Sequence, residues 1–475
     1  MKSVKKLCSV LLAGALALSA TACTGSSSSS NSAGSTTAES TASTESTAAK
    51  SNATDFNSLK VGTDHTDVKA DLKILTHRTD IVNTTFKKYI TEFQKMYPNV
   101  TIKYESVTNY ADDVTTRMST DNWGDVCMIP ASIPNTELAD HFEPLGEVDT
   151  LSKTYNFVTN KAYDGTCYGM SSTGNVQGVV YNKKVFKNAG LSDLPKTPEE
   201  FLKDLQTIKD KTGGKIIPLY TNFAAKWTMG AWDAYIGGCA TGNPDFMNLK
   251  LAKMKDPFAK ASFSEGTGPY AVYNTLYEAV KRKLTEADPT TTDWESSKTK
   301  INNGDIATMV LGSWAVTQMQ QAGKNADDIG YMPFPITVNG KQYATMGSDY
   351  CYGINKNSSD DNKLAAKLYI KWLTEKSNFA YNEGGVPIVK GAELPKTLEG
   401  FKNIQMIEDT PAKKGEEDVF TNVNNDSELS LNSDNKHVQD IVEAALNGTK
   451  TMDEIVSEWN QKWADAQKKD NITVG

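Results

Sequence analysis

The sequence predicts an α/β protein arranged as two lobes. Strands alternate with helices from the start of the folded part, the pattern that builds βαβ units and a parallel sheet. The chain, at 475 residues, is also too long for one ordinary core. Leu72-Lys73-Ile74-Leu75 reads as the first short strand. Residues 85–97 place Phe86, Tyr89, Ile90, Phe93 and Met96 on one apolar helical stripe, ended by Pro98-Asn99. Val100-Thr101-Ile102-Lys103-Tyr104 is the second strand, and Asp125-Val126-Cys127-Met128-Ile129, stopped by Pro130, is the third. In such sheets ligands sit beyond the carboxyl ends of the strands, which singles out His77-Arg78-Thr79-Asp80 and Pro130-Ala131-Ser132. Farther on, Thr197 suits an N-cap, with Pro198 at the first helical position and Glu199-Glu200 in the positive first turn. Phe201, Leu205 and Ile208 carry that helix to Gly213-Gly214. Leu364, Leu368, Ile370 and Trp372 mark another helix, and residues 438–463 an amphipathic helical end. No internal repeat is visible.

The N-terminus reads as an address. Lys2, Lys5 and Lys6 precede an apolar run over 7–20 that is too short to cross a bilayer comfortably. Ala20-Thr21-Ala22-Cys23 resembles a bacterial lipobox, with residues 1–22 removed and Cys23 acylated. Ala20 stands where that motif usually has Leu, which leaves cleavage by an ordinary signal peptidase as the rival reading. Residues 24–54 hold only Ser, Thr, Ala, Gly, Asn, Glu and Lys. Such a stretch cannot bury enough apolar surface to offset its ordering entropy, and it reads as a disordered tether. Nothing else approaches 18 consecutive apolar residues, so the expected location is the outer side of the cell membrane, held by lipid.

Composition removes several function classes. Apolar content of 39% and charged content of 23% suit a globular protein, and a net charge of −8 argues against nucleic acid as a partner. Beyond Cys8 and Cys23, the folded part has Cys127, Cys167, Cys239 and Cys351, with no CxxC spacing and no nearby histidine, so zinc is not expected. One or two disulfides and four buried thiols both fit. No HExxH, GxSxG or P-loop spacing occurs, and no cofactor is expected. Gly266-Thr267-Gly268 lacks the third glycine of a dinucleotide fingerprint. The four histidines, His65, His77, His141 and His437, have no triad motif around them. The Asn/Asp-rich stretch 422–434 lacks the glycine of an EF-hand loop. A glycosidase carboxylate pair is recognised by distance in space and leaves no mark in sequence.

A set of motifs, in order from about residue 70 to 390, resembles the family 1 extracellular solute-binding proteins, the group that includes maltose-binding protein. They are Tyr163-Asp164-Gly165-Thr166-Cys167-Tyr168-Gly169-Met170, residues 177–190 around Tyr181-Asn182-Lys183, and Leu194-Pro195-Lys196-Thr197-Pro198-Glu199-Glu200-Phe201. Gly304-Asp305-Ile306-Ala307-Thr308-Met309, Gly312-Ser313-Trp314, Ile329-Gly330-Tyr331-Met332-Pro333-Phe334-Pro335, Gly353-Ile354-Asn355 and Gly384-Gly385-Val386-Pro387 complete the set. The resemblance implies a two-lobed periplasmic-binding-protein-like fold, each lobe a mostly parallel sheet flanked by helices. Residues 60–174 with 336–377 would form one lobe, and 178–331 with 386–475 the other. The crossings would fall near 171–177, 332–336 and 377–385. It further implies a monomeric, non-enzymatic component of an ABC importer that captures a carbohydrate and delivers it to the permease subunits. A lipid-anchored surface glycoside hydrolase, or a binder of a polyol, sugar phosphate or peptide, is the alternative.

Sugars offer C–H faces to aromatic rings and hydroxyls to paired polar groups, so a sugar site is Trp or Tyr flanked by polar side chains. Of eight tryptophans, Trp314 matches a motif position that stacks on sugar in the family. Trp227 follows the Ile216-Ile217-Pro218-Leu219 strand, where relatives place a cleft aromatic, and Trp232 lies five residues on. Trp294 sits in a polar stretch that suits a lid or plain surface, and Trp123 is divided between site and core. Trp372, Trp459 and Trp463 have apolar neighbours at helical spacing and read as structural. Among polar residues, His77, Arg78 and Asp80 follow the first strand, where the family contacts sugar; the bland reading is a surface turn. Asn175 falls where maltose-binding protein has a ligand carboxylate, and Asp349 precedes a strand and either faces the cleft or forms a turn. Many tryptophans favour a long neutral sugar.

Overall fold

The computed structural model describes residues 55–475 apart from Asp80, Asn109 and Asp434. The export signal, Cys23, the tether and Asp80 therefore lie outside the described residues. Phe56, one residue into the described chain, is already fully buried.

The first sheet starts as the alternation predicts. Strands β1 (Ala70–Thr76), β2 (Val100–Ser106) and β3 (Val126–Met128) pair in parallel, with Ile74 opposite Tyr104 on one side and Val126 on the other. The helix Thr85–Gln94 joins the first two and buries Phe86, Tyr89 and Phe93. A small sheet of β4 (Gly146–Glu147), β5 (Ala162–Tyr163) and β6 (Thr166–Cys167) follows, and β7 (Met170–Ser171) then returns to the edge of the first sheet.

The chain next enters the second sheet as β8 (Gly174–Asn182), which is joined by β9 (Ile217–Leu219), β10 (Ile306–Gly312), β11 (Ile329–Pro333) and β12 (Tyr343–Ser348). Strand β13 (Cys351–Ile354) goes back to the first sheet between β3 and β7, and β14 (Gln405–Glu408) closes the edge of the second beside β12. Pairs made by strand-helix-strand units are parallel (β1 with β2 and β3, β10 with β9), as is the edge pair β12 with β14. Pairs made where the chain turns back are antiparallel, as β8 is to β10, β11 and β12.

This pairing corrects one expectation. The resemblance puts the second crossing near 332–336, with everything from 336 to 377 in the first lobe. Strand β12 instead pairs Met346 with Val176 and Gly347 with Asn175, so the chain stays on the second sheet until Ser348 and crosses at Asp349-Tyr350. The reason is hydrogen bonding: Tyr343–Met346 pair with β14 and Met346–Ser348 with β8, so the backbone of β12 is satisfied within the second sheet.

Each lobe closes its sheet with helices. In the first, the helix Asp360–Glu375 packs Tyr369 and Trp372 edge-on to Phe93, with centroids 5.0 and 5.9 Å apart. In the second, Trp459 and Trp463 of the helix Met452–Lys469 set their rings edge-on to Phe258 at 5.8 and 5.4 Å. The helix Pro198–Thr212 starts and stops as its residues dictate: Thr197 Oγ1 accepts from the Glu200 N–H, and Gly213 takes the left-handed C-cap at φ 59°. Cys127, Cys167, Cys239 and Cys351 are all free and buried. Among the described residues no helix is long and apolar enough to cross a membrane, and no group of three or more His, Cys, Asp or Glu is arranged to hold a metal ion.

Candidate functional site

Three of the tryptophans singled out in the sequence meet in one cluster, although they come from three separate segments. Trp227 follows β9, at the start of the 3-10 turn Trp227–Ala231. Trp294 is the first residue of the helix Trp294–Asn303, whose N-cap Asp293 accepts from the Ser296 N–H at 2.7 Å. Trp314 opens the helix Trp314–Gln321, directly after β10. Centroid distances are 5.2 Å between Trp227 and Trp294, and 5.6 Å from Trp314 to each of them. Trp227 is 52% exposed, while Trp294 and Trp314 are half-buried. Three indoles in contact, one of them half in water, make a contiguous apolar patch of the kind that marks a binding surface.

Local geometry explains how each ring is held. Gly312 leaves room for the indole, since a Cβ there would lie 2.6 Å from Trp314 Nε1. Ser313 ties the turn to β8: its N–H donates to the Val176 carbonyl at 2.9 Å, and its hydroxyl accepts from the Val176 N–H at 3.0 Å. The loops under Trp227 and Trp294 are clipped together, because Ala224 N–H donates to Thr292 Oγ1 at 2.8 Å and Asp293 N–H to the Tyr220 hydroxyl at 2.8 Å. Buried Glu286 accepts from the Thr221 N–H at 3.0 Å and from its hydroxyl, and burial still holds its carboxyl above the ordinary value. Lys298 Nζ lies 4.9 Å from the Trp294 ring centroid, a cation on its π face.

The polar candidates gather where the chain crosses between sheets. At the end of β1, the His77 ring is tilted over Tyr350 at 4.4 Å and stands edge-on to Tyr110 at 5.7 Å. Arg78 Nη2 pairs with Glu383 Oε2 at 2.7 Å, with only 23% and 20% of the two side chains exposed. Asp349 donates its N–H to the Thr173 carbonyl at 2.9 Å. Burial pushes its carboxyl up, and the Arg78 guanidinium opposes this in part. Asn175 Oδ1 accepts from the Ser313 hydroxyl at 3.5 Å, which connects it to the residue before Trp314. The two halves also touch through Thr317, whose hydroxyl donates to the Glu383 carbonyl at 3.5 Å.

Trp232 is elsewhere. It is 2% exposed, in the core of the second lobe, edge-on to Phe334 at 5.9 Å. Trp227 opens one short turn and Trp232 caps the next, and only the first points to solvent. Trp123 is likewise core, edge-on to Phe142. Sequence reasoning does not single out Glu383, Tyr350 or Tyr110. Glu383 lies in the Gly-rich stretch read as a crossing, and Tyr350 is the neighbour of Asp349, so both are within reach of a closer look.

The arrangement is a cluster of mutually tilted indole rings, at 43° to 78°, near fixed donors and acceptors, with no nucleophile-base pair identified among the described residues. That is the make-up of a binding surface. Residues 79–378 match the family described as bacterial extracellular solute-binding protein. The chain belongs to that family. Among solved members, it is 50% identical to a manno-oligosaccharide-specific solute-binding protein of Bifidobacterium animalis subsp. lactis, in complex with mannotriose. That match covers 88% of this chain and 99% of the other, with a TM-score of 0.81. A binding protein of an ABC transporter from the same organism, in complex with mannobiose, is 51% identical over the same shares, also with a TM-score of 0.81. The multiple sugar-binding protein of Streptococcus mutans is 24% identical over 66% of this chain and 74% of its own length. Like other solute-binding proteins of the family, this one has two lobes, and its aromatic cluster lies on the second.

Proposed function

We propose that this protein captures a short manno-oligosaccharide outside the cell and delivers it to an ABC importer, held at the membrane by a lipid on Cys23. The observation that carries the ligand class is the triangle of Trp227, Trp294 and Trp314, with one ring half in water and all three joined at 5.2 to 5.6 Å. Pyranose rings stack on such surfaces through their C–H faces. Arg78, Glu383, Asp349 and Asn175 supply the donors and acceptors that hydroxyls require. Identity of 50% with a protein specific for manno-oligosaccharides supports mannose units over other sugars. The role is binding without turnover.

Calorimetry of the domain 55–475 against mannobiose, mannotriose, maltotriose and raffinose tests the ligand class, with chromatography of the recovered sugar. Tight binding of the mannosides with intact recovery is the expected result. Cleaved product would replace the binding role with hydrolysis, and preference for another sugar would replace the ligand.

A further inference from the structure

The loop that presents Trp227 is not in a relaxed shape. Lys226, the residue before the ring, sits at φ 54° and ψ −64°, a strained conformation that non-glycine residues rarely adopt. Asn222, at the start of the same loop, is left-handed at φ 58°. Strain of this kind persists only where surrounding contacts over-determine it. Those contacts come from far along the chain.

A stretch near the C-terminus meets the loop on both sides of Trp227. Before the ring, Gln439 Nε2 donates to the Phe223 carbonyl at 3.0 Å. After it, Gly230 lies so close to Asn435 that a Cβ on residue 230 would stand 2.6 Å from Asn435 Oδ1. Beyond that, Asp233 is fully buried and accepts from three groups: the Asn432 N–H at 2.7 Å, the Tyr273 hydroxyl at 2.9 Å, and His437 Nε2 at 2.8 Å. Asn435 Oδ1 and His437 Nδ1 are buried at this junction without a hydrogen-bond partner. None of residues 432–439 falls within the stretch matched to the family.

We infer that Asn432, Asn435, His437 and Gln439 form a seat that sets the position of Trp227, and so tune the grip on the sugar unit that Trp227 covers. Asn435, His437 and Gln439 are positioning residues that touch the loop and not the ligand. The effect on sugar rests on the proposed binding site, whereas the seat itself stands on geometry alone. Exchange of these residues would alter the preference for chain length while the rest of the site stays as it is.

Two variants separate seat from site. Gly230→Ala adds a methyl group against Asn435, and Asn435→Gly, at a position already left-handed at φ 59°, removes the obstacle. The domain is labelled with fluorotryptophan, and the Trp227 resonance is assigned by its loss in Trp227→Phe. In Gly230→Ala that resonance moves and mannotriose binding weakens about tenfold, the order expected for an anchor kept but mis-aimed. In the double variant both return to the values of Asn435→Gly alone, which ties the displacement to the contact between residues 230 and 435. Gln439→Ala gives a second, milder displacement should Gly230→Ala fail to fold. An unmoved Trp227 resonance in both variants overturns the seat. A moved resonance with unchanged affinity, in variants and in Trp227→Ala alike, keeps the seat and overturns the sugar site at Trp227.

Discussion

Removal of Trp314 should show strongly in ligand affinity and weakly in the melting midpoint, because a similar energy is read on two very different scales. The ring contacts Trp227 and Trp294, each at 5.6 Å. An aromatic pair contributes about 0.5–1.5 kcal/mol beyond its buried area, so the two pairs give about 1–3 kcal/mol, and with the half-buried ring's lost area Trp314→Ala costs the fold about 2–4 kcal/mol. A domain of about 420 residues has a melting entropy of roughly 0.9 kcal/mol/K, so the midpoint falls only about 2–5 °C. Binding responds differently. The variant loses a stacking surface and leaves Trp227 and Trp294 without their common neighbour. Truncation of a central aromatic anchor costs about 2 kcal/mol or more, roughly thirtyfold in Kd. Calorimetry with mannotriose, alongside differential scanning calorimetry of the free protein, reads both quantities. A Kd within about threefold of wild type would show that the ring serves packing alone.

Cys23→Ala should move the protein from the membrane fraction into the medium; retention at the wild-type level removes the lipid anchor. Saturating mannotriose should lower the radius of gyration of the domain 55–475 in solution scattering and bring labels on the two lobes closer, because only contacts from both lobes favour a closed form; an unchanged curve and label distance rule closure out. Burial, with Glu408 beside it, lifts the Asp409 carboxyl from 3.8 to about 6. Between those values the folded chain holds a proton that the unfolded chain has released, so this group's contribution is full below about pH 4 and is lost as pH rises through about 6. Asp409→Asn should therefore melt above wild type near pH 7.5 and match it near pH 4. An equal gap at both values defeats the reasoning.

What is legible in the sequence is local. Thr197-Pro198-Glu199-Glu200 announces a helix start because capping is settled within four residues, and Thr197 caps as expected. Trp459 and Trp463, one turn apart beside apolar neighbours, can only face a core, and both are buried. Pairings across the chain are not legible. Arg78 meets Glu383 across 305 positions, and nothing near either residue signals the other. The resemblance puts strand β12 in the first lobe, whereas its pairing with β8 and β14, both far away in sequence, holds it in the second sheet. The misplacement of Trp232 has a similar cause. In short 3-10 turns the side-chain direction follows neither the helical nor the strand period, so exposure at 227 and burial at 232 cannot be told apart from sequence.

The four thiols of the folded part bear on how this molecule can be handled. Cys127, Cys167, Cys239 and Cys351 are at most 1% exposed. Burial raises the Cys127 thiol and holds Cys167 and Cys239 at about 12, so at neutral pH they offer a reagent neither access nor thiolate. A maleimide dye added to the domain 55–475 would then attach only where a new surface cysteine has been introduced. Reporter pairs can be placed on the two lobes of the native sequence without first replacing the resident cysteines. Conversely, any slow uptake of dye by the unaltered domain counts molecules that have opened, and its rate becomes a clock for unfolding that a bound sugar should slow.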